Sequence, residues 1–192
     1  MMRLTPALAF AATLFFAAFS GTVRADTVVF VNKNVLNVDA TSMEVKISGS
    51  APQEYPHVGH RSPLTFEDAG KAWAENHFKL TGGSVNQLRI NIRNGDVVEK
   101  LLPIKKGIKG MFTKDQAFQY DATIDLEIAI VSPDGQVLTS ASGKASGFRT
   151  AGENATDAEK KQIWSGLVIS VFDALDNQLQ PQLLTAMGQF VH

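Results

Sequence analysis

Ala122, Ile124, Leu126, Ile128 and Ile130 alternate with Asp121, Thr123, Asp125, Glu127 and Ala129, and the same alternation runs through Leu88, Ile90 and Ile92 against Arg89, Asn91 and Arg93. A period of two puts the apolar set on one face, so both segments read as strands with one buried and one wet side. Asn94-Gly95 is a strong hairpin signal and predicts a turn into a partner strand over Val97–Leu102. Two shorter β-branched-rich runs, Thr27–Val31 and Met43–Ile47, predict two further strands at the start of the domain.

Ser132-Pro133-Asp134-Gly135 turns the chain back into a strand from Gln136 to about Phe148. A two-residue loop at Asp134-Gly135 pairs Val131 with Leu138, Ile128 with Ala141, Leu126 with Gly143 and Ile124 with Ala145. A four-residue loop keeps these faces, whereas a three-residue loop with a bulge swaps them. The inner face of the returning strand is then Ala141, Gly143, Ala145 and Gly147, all small, which leaves room for large side chains such as Trp164 and Phe172 from the layer above.

Helical spacing appears twice. Phe66, Ala69, Trp73, His77 and Leu80 follow a Thr65/Asp68 cap and stop at Gly82-Gly83; Ile163, Leu167, Val168, Val171, Phe172, Leu175 and Leu179 follow Thr156, with Glu159 placed to complete a capping box. Pro181 is expected to end or kink the second helix and leave a short tail to His192. Pro52, Pro56, Gly59 and Pro63 make the stretch between Gly49 and Pro63 a loop. Each helix has a single apolar stripe. The expected fold is therefore α+β: a two-layer sandwich with a mainly antiparallel sheet of about six strands and two helices on one face.

The first 25 residues stand apart. Arg3 supplies a positive start, Ala7–Phe19 is an apolar run too short to span a bilayer, and Val23-Arg24-Ala25 offers small residues at the usual cleavage positions. Residues 1–25 read as a cleaved signal peptide, with the mature chain starting at Asp26 and forming one domain over 26–192. Its 167 residues suffice to bury roughly two thirds of the unfolded surface. The leader's bacterial style points to the periplasm, with full secretion as the alternative. Zero cysteines exclude disulfides and a lipid-modified cysteine. The mature chain carries 16 basic against 19 acidic residues, a charge that offers no field for nucleic acid, and no later segment has the length of a transmembrane span.

Candidate chemistry is sparse. His57 and His60, with His77 or Glu54, lack the fixed facial spacing of a zinc site, and no metal or cofactor is expected. Asp121, Asp125 and Glu127 lie on alternate strand positions, too far apart to share one ion tightly, and the register sets Lys144 opposite or diagonal to Asp125. Gly143-Lys144-Ala145-Ser146-Gly147 is neither a phosphate loop nor a nucleophile elbow, since the serine falls one place late. Asn154-Ala155-Thr156 matches a glycosylation sequon but reads as the approach to a helix cap. The distinctive segment is 100–114. There Lys100, Lys105, Lys106, Lys109 and Lys114 occur without an acid, interleaved with Leu101, Leu102, Ile104, Ile108, Met111 and Phe112. Lysines that attract and hydrophobes that hold suit an anionic lipid headgroup or an acidic partner protein. The candidate binding set is Lys100, Lys105, Lys106, Lys109, Met111, Phe112 and Lys114.

Ala72-Trp73-Ala74, the strand from Tyr120 to Ile130, the phrase Ser132-Pro133-Asp134-Gly135-Gln136-Val137-Leu138 and the capped helix with Trp164 together resemble the small envelope lipoproteins that serve as accessory subunits. Examples are the auxiliary lipoproteins of ABC-type transport systems and the lipopolysaccharide-assembly lipoprotein. The chain departs from them in lacking the attachment cysteine. The resemblance implies a non-enzymatic binding or assembly role in the envelope and transfers no catalytic residue. The function expected is that of a periplasmic accessory protein acting through a partner protein or an anionic amphiphile. A carrier of a small apolar ligand is the alternative, and an enzyme of unrecognised class a more distant one.

Overall fold

The alternating segments pair into one sheet in the computed structural model, which describes residues 30, 35–103 and 116–192. The elements run β1 (Leu36–Val38), β2 (Ser42–Ile47), a short 3-10 turn (Gly59–Arg61), α1 (Phe66–His77), β3 (Phe78–Leu80), β4 (Gln87–Leu101), β5 (Gln116–Val131), β6 (Val137–Gly152) and α2 (Asp157–Ala186). Strands β2-β4-β5-β6 form a four-stranded sheet in which β2 and β4 are parallel and the other neighbours antiparallel. Strands β1 and β3 form a separate parallel pair. The α+β class and the strand number agree with the sequence, but the single six-stranded sheet does not. Three-residue strands are too short to show a period, and β3 consists of residues that helical spacing had assigned to α1.

Helix α1 starts where expected, with the Thr65 hydroxyl accepting from the Asp68 N–H at 3.0 Å. It stops at His77, before Leu80, because Phe78 turns extended, packs its ring edge-on to Trp73 and leads into β3. Of Thr27–Val31 only Phe30 is described; it is buried and meets the Phe172 ring edge-on at 5.9 Å. The leader, residues 1–25, lies outside the described residues.

Asn94-Gly95 is not a turn. β4 continues through it to Leu101, with a bulge at Arg93 between the Ile92↔Leu126 and Asn94↔Asp125 pairs. The bulge moves the inward set from Leu88, Ile90 and Ile92 to Gly95 and Val97 by inserting one residue into the ladder. A Cβ at Gly95 would lie 2.5 Å from Phe66 Cγ, so glycine is required there by the close approach of α1, and its φ is not positive.

Strands β5 and β6 carry the anticipated pairs Ile128↔Ala141, Leu126↔Gly143 and Ile124↔Ala145. The route differs near the turn. Pro133–Gly135 connect Ser132 to Gln136, whose carbonyl accepts the Ser132 N–H at 2.9 Å, and Gly135 takes φ +87°. Val131 then pairs with Val137 and not Leu138; the register shift beside Leu138 restores the faces that a three-residue loop alone would have exchanged.

Both helices cover the same face. Gly70 of α1 sits over Ile92 and Val45, and α2 lies along β6 with Leu175 and Leu179 against Gly143 and Val171 near Gly147. The small residues thus receive Leu175, Leu179 and Val171, whereas Trp164 packs edge-on to Tyr120 and Phe172 meets Phe66 and Trp73. The capping box at Thr156/Glu159 is complete. Pro181 does not end α2, which runs on to Ala186 and buries Leu183, with Met187 following. The tail returns to β1, where the Asn37 N–H donates to the His192 carbonyl at 2.8 Å and the His192 N–H to the Asn37 carbonyl at 3.0 Å. Most of the buried apolar side chains form one contiguous cluster between helices and sheet.

Candidate functional site

The lysine-rich segment leaves the sheet from Leu101 and rejoins it at Gln116, so its ends are set by adjacent strands that pair Leu101 with Phe118. Lys100 is the described member of the candidate set: it is exposed on β4, with its Nζ 2.5 Å from Asp121 Oδ2 on β5. Lys105, Lys106, Lys109, Met111, Phe112 and Lys114 lie outside the described residues.

Around these strand ends the fold gathers groups that sequence spacing did not connect. Lys160, in the first turn of α2, holds its Nζ 4.2 Å from the centroid of Phe118, and Arg61, from the 3-10 turn, lies 5.2 Å from the Trp164 ring. Trp164 in turn stands edge-on to Tyr120 at 5.7 Å. Cations over aromatic faces are attracted by the ring quadrupole and gain most where water is excluded. Burial, followed by the neighbouring Glu99 carboxylate, pushes the Tyr120 phenol well above its ordinary pKa, so it stays neutral. Among the described residues the buried indole N–H of Trp164 has no acceptor. Leu101 is exposed beside this group. The end of the sheet therefore brings together two ring-held cations and the exposed Leu101, with the Trp164 donor itself buried.

The helix-free face of the sheet is a ladder of cross-strand ion pairs. Asp125 accepts from Arg93 Nη2 at 2.7 Å and lies 3.0 Å from Lys144 Nζ; Arg89 Nε reaches Glu44 at 3.2 Å. Burial pushes the Asp125 carboxyl up, but the hydrogen bonds from Lys144 and Arg93 outweigh it and hold the group below its ordinary range. For Asp121 burial is likewise overcome by Lys100 and Gln119. A carboxyl lowered in the folded state binds protons less readily than in the unfolded chain. Its stabilisation is full above the ordinary carboxylate pKa of about 3.9 and is lost as pH falls through the lowered values. Urea midpoints should stay level above about pH 5 and drop below about pH 4, and Arg93→Gln with Lys144→Gln should shrink that acid drop.

The histidines divide between two local structures. His57 Nδ1 lies 2.5 Å from Asp96 Oδ2, where residues 56–58 bind the edge of β4 through Val58 N–H to Val97 O and Glu99 N–H to Pro56 O. His77 is buried between α1 and α2, with Nδ1 3.0 Å from Asp176 and its ring stacked on Trp73. Among the described residues no group of three or more His, Cys, Asp or Glu is placed to hold a metal. Gly143–Gly147 is plain β6 strand, and Thr156 is the α2 cap. No described helix is long and apolar enough to cross a membrane.

No protein-family model matches the chain, and no curated protein matches it. Among solved structures it is similar to rare lipoprotein B from Shewanella oneidensis, with 13% identity and a TM-score of 0.37, over 75% of this chain and 95% of that one. It is also similar to a minor lipoprotein from Acinetobacter baumannii, with 16% identity and a TM-score of 0.37, over 73% of this chain and 88% of that one. These neighbours are bacterial lipoproteins, the class that the sequence resembles, and at such identities and scores the likeness carries no argument about what this chain binds.

Proposed function

We propose that this protein is a non-enzymatic accessory protein of the bacterial envelope, released into the periplasm after cleavage near Ala25, and that it binds an anionic amphiphile at the end of the sheet where β4 and β5 are joined. The observation that carries this reading is the pair of cations held over aromatic rings, Lys160 on Phe118 and Arg61 on Trp164, at the strand ends from which the lysine-rich segment departs. A headgroup brought in by the lysines would meet positive charge in a partly desolvated setting, where each cation is worth more than in open water. A cavity of about 260 Å³ among the described residues, lined in part by Ser42, Gln87, Arg89 and Ser132, lies at the opposite end of β4 and is mostly polar, so it does not itself suit an apolar ligand.

Vesicle flotation tests this. The mature chain should float with phosphatidylglycerol-containing vesicles at low salt, be released at high salt, and ignore pure phosphatidylcholine vesicles. Lys105→Ser with Lys106→Ser and Lys109→Ser should weaken anionic binding by about tenfold or more, at about 1 kcal/mol per lysine near such a surface, without lowering the melting temperature. Equal binding to both vesicle types, or binding undiminished in the triple variant, would remove the proposal.

A further inference from the structure

The two long edges of the four-stranded sheet are treated differently. On one side β2 covers β4 over Gln87–Ile92, and the Pro-rich segment covers β4 further along through the Val58–Val97 and Glu99–Pro56 hydrogen bonds. On the other side β6 runs from Val137 to Gly152 with β5 on its inner edge only. Among the described residues, Val137–Ala151 make no backbone hydrogen bonds beyond that ladder. An edge of this length displays a row of N–H and C=O groups ready to pair, and proteins usually blunt such edges with proline, unpaired charge or brevity. β6 contains no proline; its central Lys144 is paired with Asp125 at 3.0 Å, a carboxylate it shares with Arg93, and Arg149 lies towards its far end.

We infer that β6 pairs antiparallel with β6 of a second copy about a two-fold axis at Gly143, joining two four-stranded sheets into one of eight. The register follows from the exposed side chains. On the helix-free face β6 presents Leu138, Ser140, Ser142, Lys144, Ser146 and Phe148, with Val137 beside Leu138 at the register shift, and its exposed apolar members lie at opposite ends, Val137 (53%) and Leu138 (42%) at one and Phe148 (66%) at the other. Antiparallel pairing about Gly143 sets Leu138 against Phe148 of the second copy and Phe148 against its Leu138, so Leu138 and Phe148 are both covered twice over. Ser140 then faces Ser146, and Lys144 faces Ser142, with no like charges directly opposed. Any other register of the same parity leaves Phe148 or Leu138 facing a serine, lysine or nothing. An unrelated extended peptide would gain the same backbone bonds, but the self-complementary side chains favour a second copy.

The absence of cysteine makes the register directly readable. Ser140→Cys and Ser146→Cys chains are prepared separately, oxidised alone and as a mixture, and run without reductant. Position 140 faces 146 of the other copy and lies six residues, about 20 Å, from its own equivalent. The mixture should therefore yield a disulfide-linked dimer and each chain alone should not. In sedimentation equilibrium the unmodified chain should show a monomer–dimer equilibrium. Ser140→Lys with Ser146→Lys should weaken it by about tenfold or more, and Ser140→Lys with Ser146→Glu should restore it, since the introduced charges then oppose their opposites. Ser140 and Ser146, the two positions substituted, are exposed, and circular dichroism melts confirm folding. A monomer at all concentrations, crosslinking of either chain alone, or equal loss in both charge variants would overturn the inference. Binding of an extended peptide by a chain that stays monomeric would reassign the edge to a different partner and equally overturn it. The result does not depend on lipid binding, because Ser140 and Ser146 pair with Ala129 and Thr123 and neither belongs to the Lys160–Phe118 and Arg61–Trp164 groups at the sheet end.

Discussion

Replacing Asp176 with alanine should lower stability by about 2–4 kcal/mol, because one carboxylate oxygen holds two buried donors. Asp176 Oδ1 accepts from Trp73 Nε1 at 3.0 Å and lies 3.0 Å from His77 Nδ1, and both rings are almost fully buried where α1 meets α2. Removing the carboxylate takes this acceptor from both at once, and buried donors cost about 1–3 kcal/mol each when left unsatisfied. Asp176→Asn keeps an oxygen that can accept and should recover part of the loss. Asp173 gives an independent signal: burial, and then repulsion from Asp176, raises its carboxyl above the ordinary range. In a folded Asp176→Ala protein, carbon-detected NMR titration should show Asp173 moving down. An alanine variant as stable as the parent would mean that the Trp73–His77–Asp176 contact does not tie the helices together.

The parts of the fold legible in the sequence are those where one physical demand acts locally. β5 alternates because its Asp121, Asp125 and Glu127 side is wet and its Ile124, Leu126 and Ile128 side is packed under the helices. The caps at Thr65 and Thr156 depend on neighbours within three residues. Where a distant residue decides, the local signal failed. Asn94-Gly95 has the composition of a turn, but its glycine makes room for Phe66. Pro181 removes a backbone donor, but α2 continues because Leu183 and Met187 are buried beyond it. The apolar stripe of α2 told which face is buried but not how the helix is rotated over β6, so the small residues were matched to Trp164 and Phe172 when Leu175 and Leu179 fill them.

The candidate site shows the same division. Of the candidate set that composition suggests between residues 100 and 114, Lys100 lies among the described residues, on β4 against Asp121. Arg61 and Lys160 could not be read from composition, because one comes from a 3-10 turn in the Pro-rich loop and the other from the first turn of α2, and only the tertiary fold brings them to Trp164 and Phe118.

Gly143→Leu should destabilise the protein by about 1–3 kcal/mol through overpacking, and it tests the β5–β6 register and the seat of α2 together. A Cβ at Gly143 would already lie 2.9 Å from Leu175 Cδ1 and 3.0 Å from Leu179 Cδ2. Both side chains are fully buried, so neither can swing into solvent to make room for the rest of a leucine. Gly147, on the same face, is the internal control: a Cβ there meets Ser170 and Val171 at 3.7 and 3.8 Å, ordinary contact distances. Gly147→Ala should therefore be neutral, or stabilising by up to about 1 kcal/mol through a stiffer unfolded chain. Thermal melts separate the two: roughly 3–10 °C lost for Gly143→Leu at this chain size, and no loss for Gly147→Ala. Equal responses would place α2 elsewhere on β6, because only the observed seat makes one glycine crowded and the glycine four residues along merely covered.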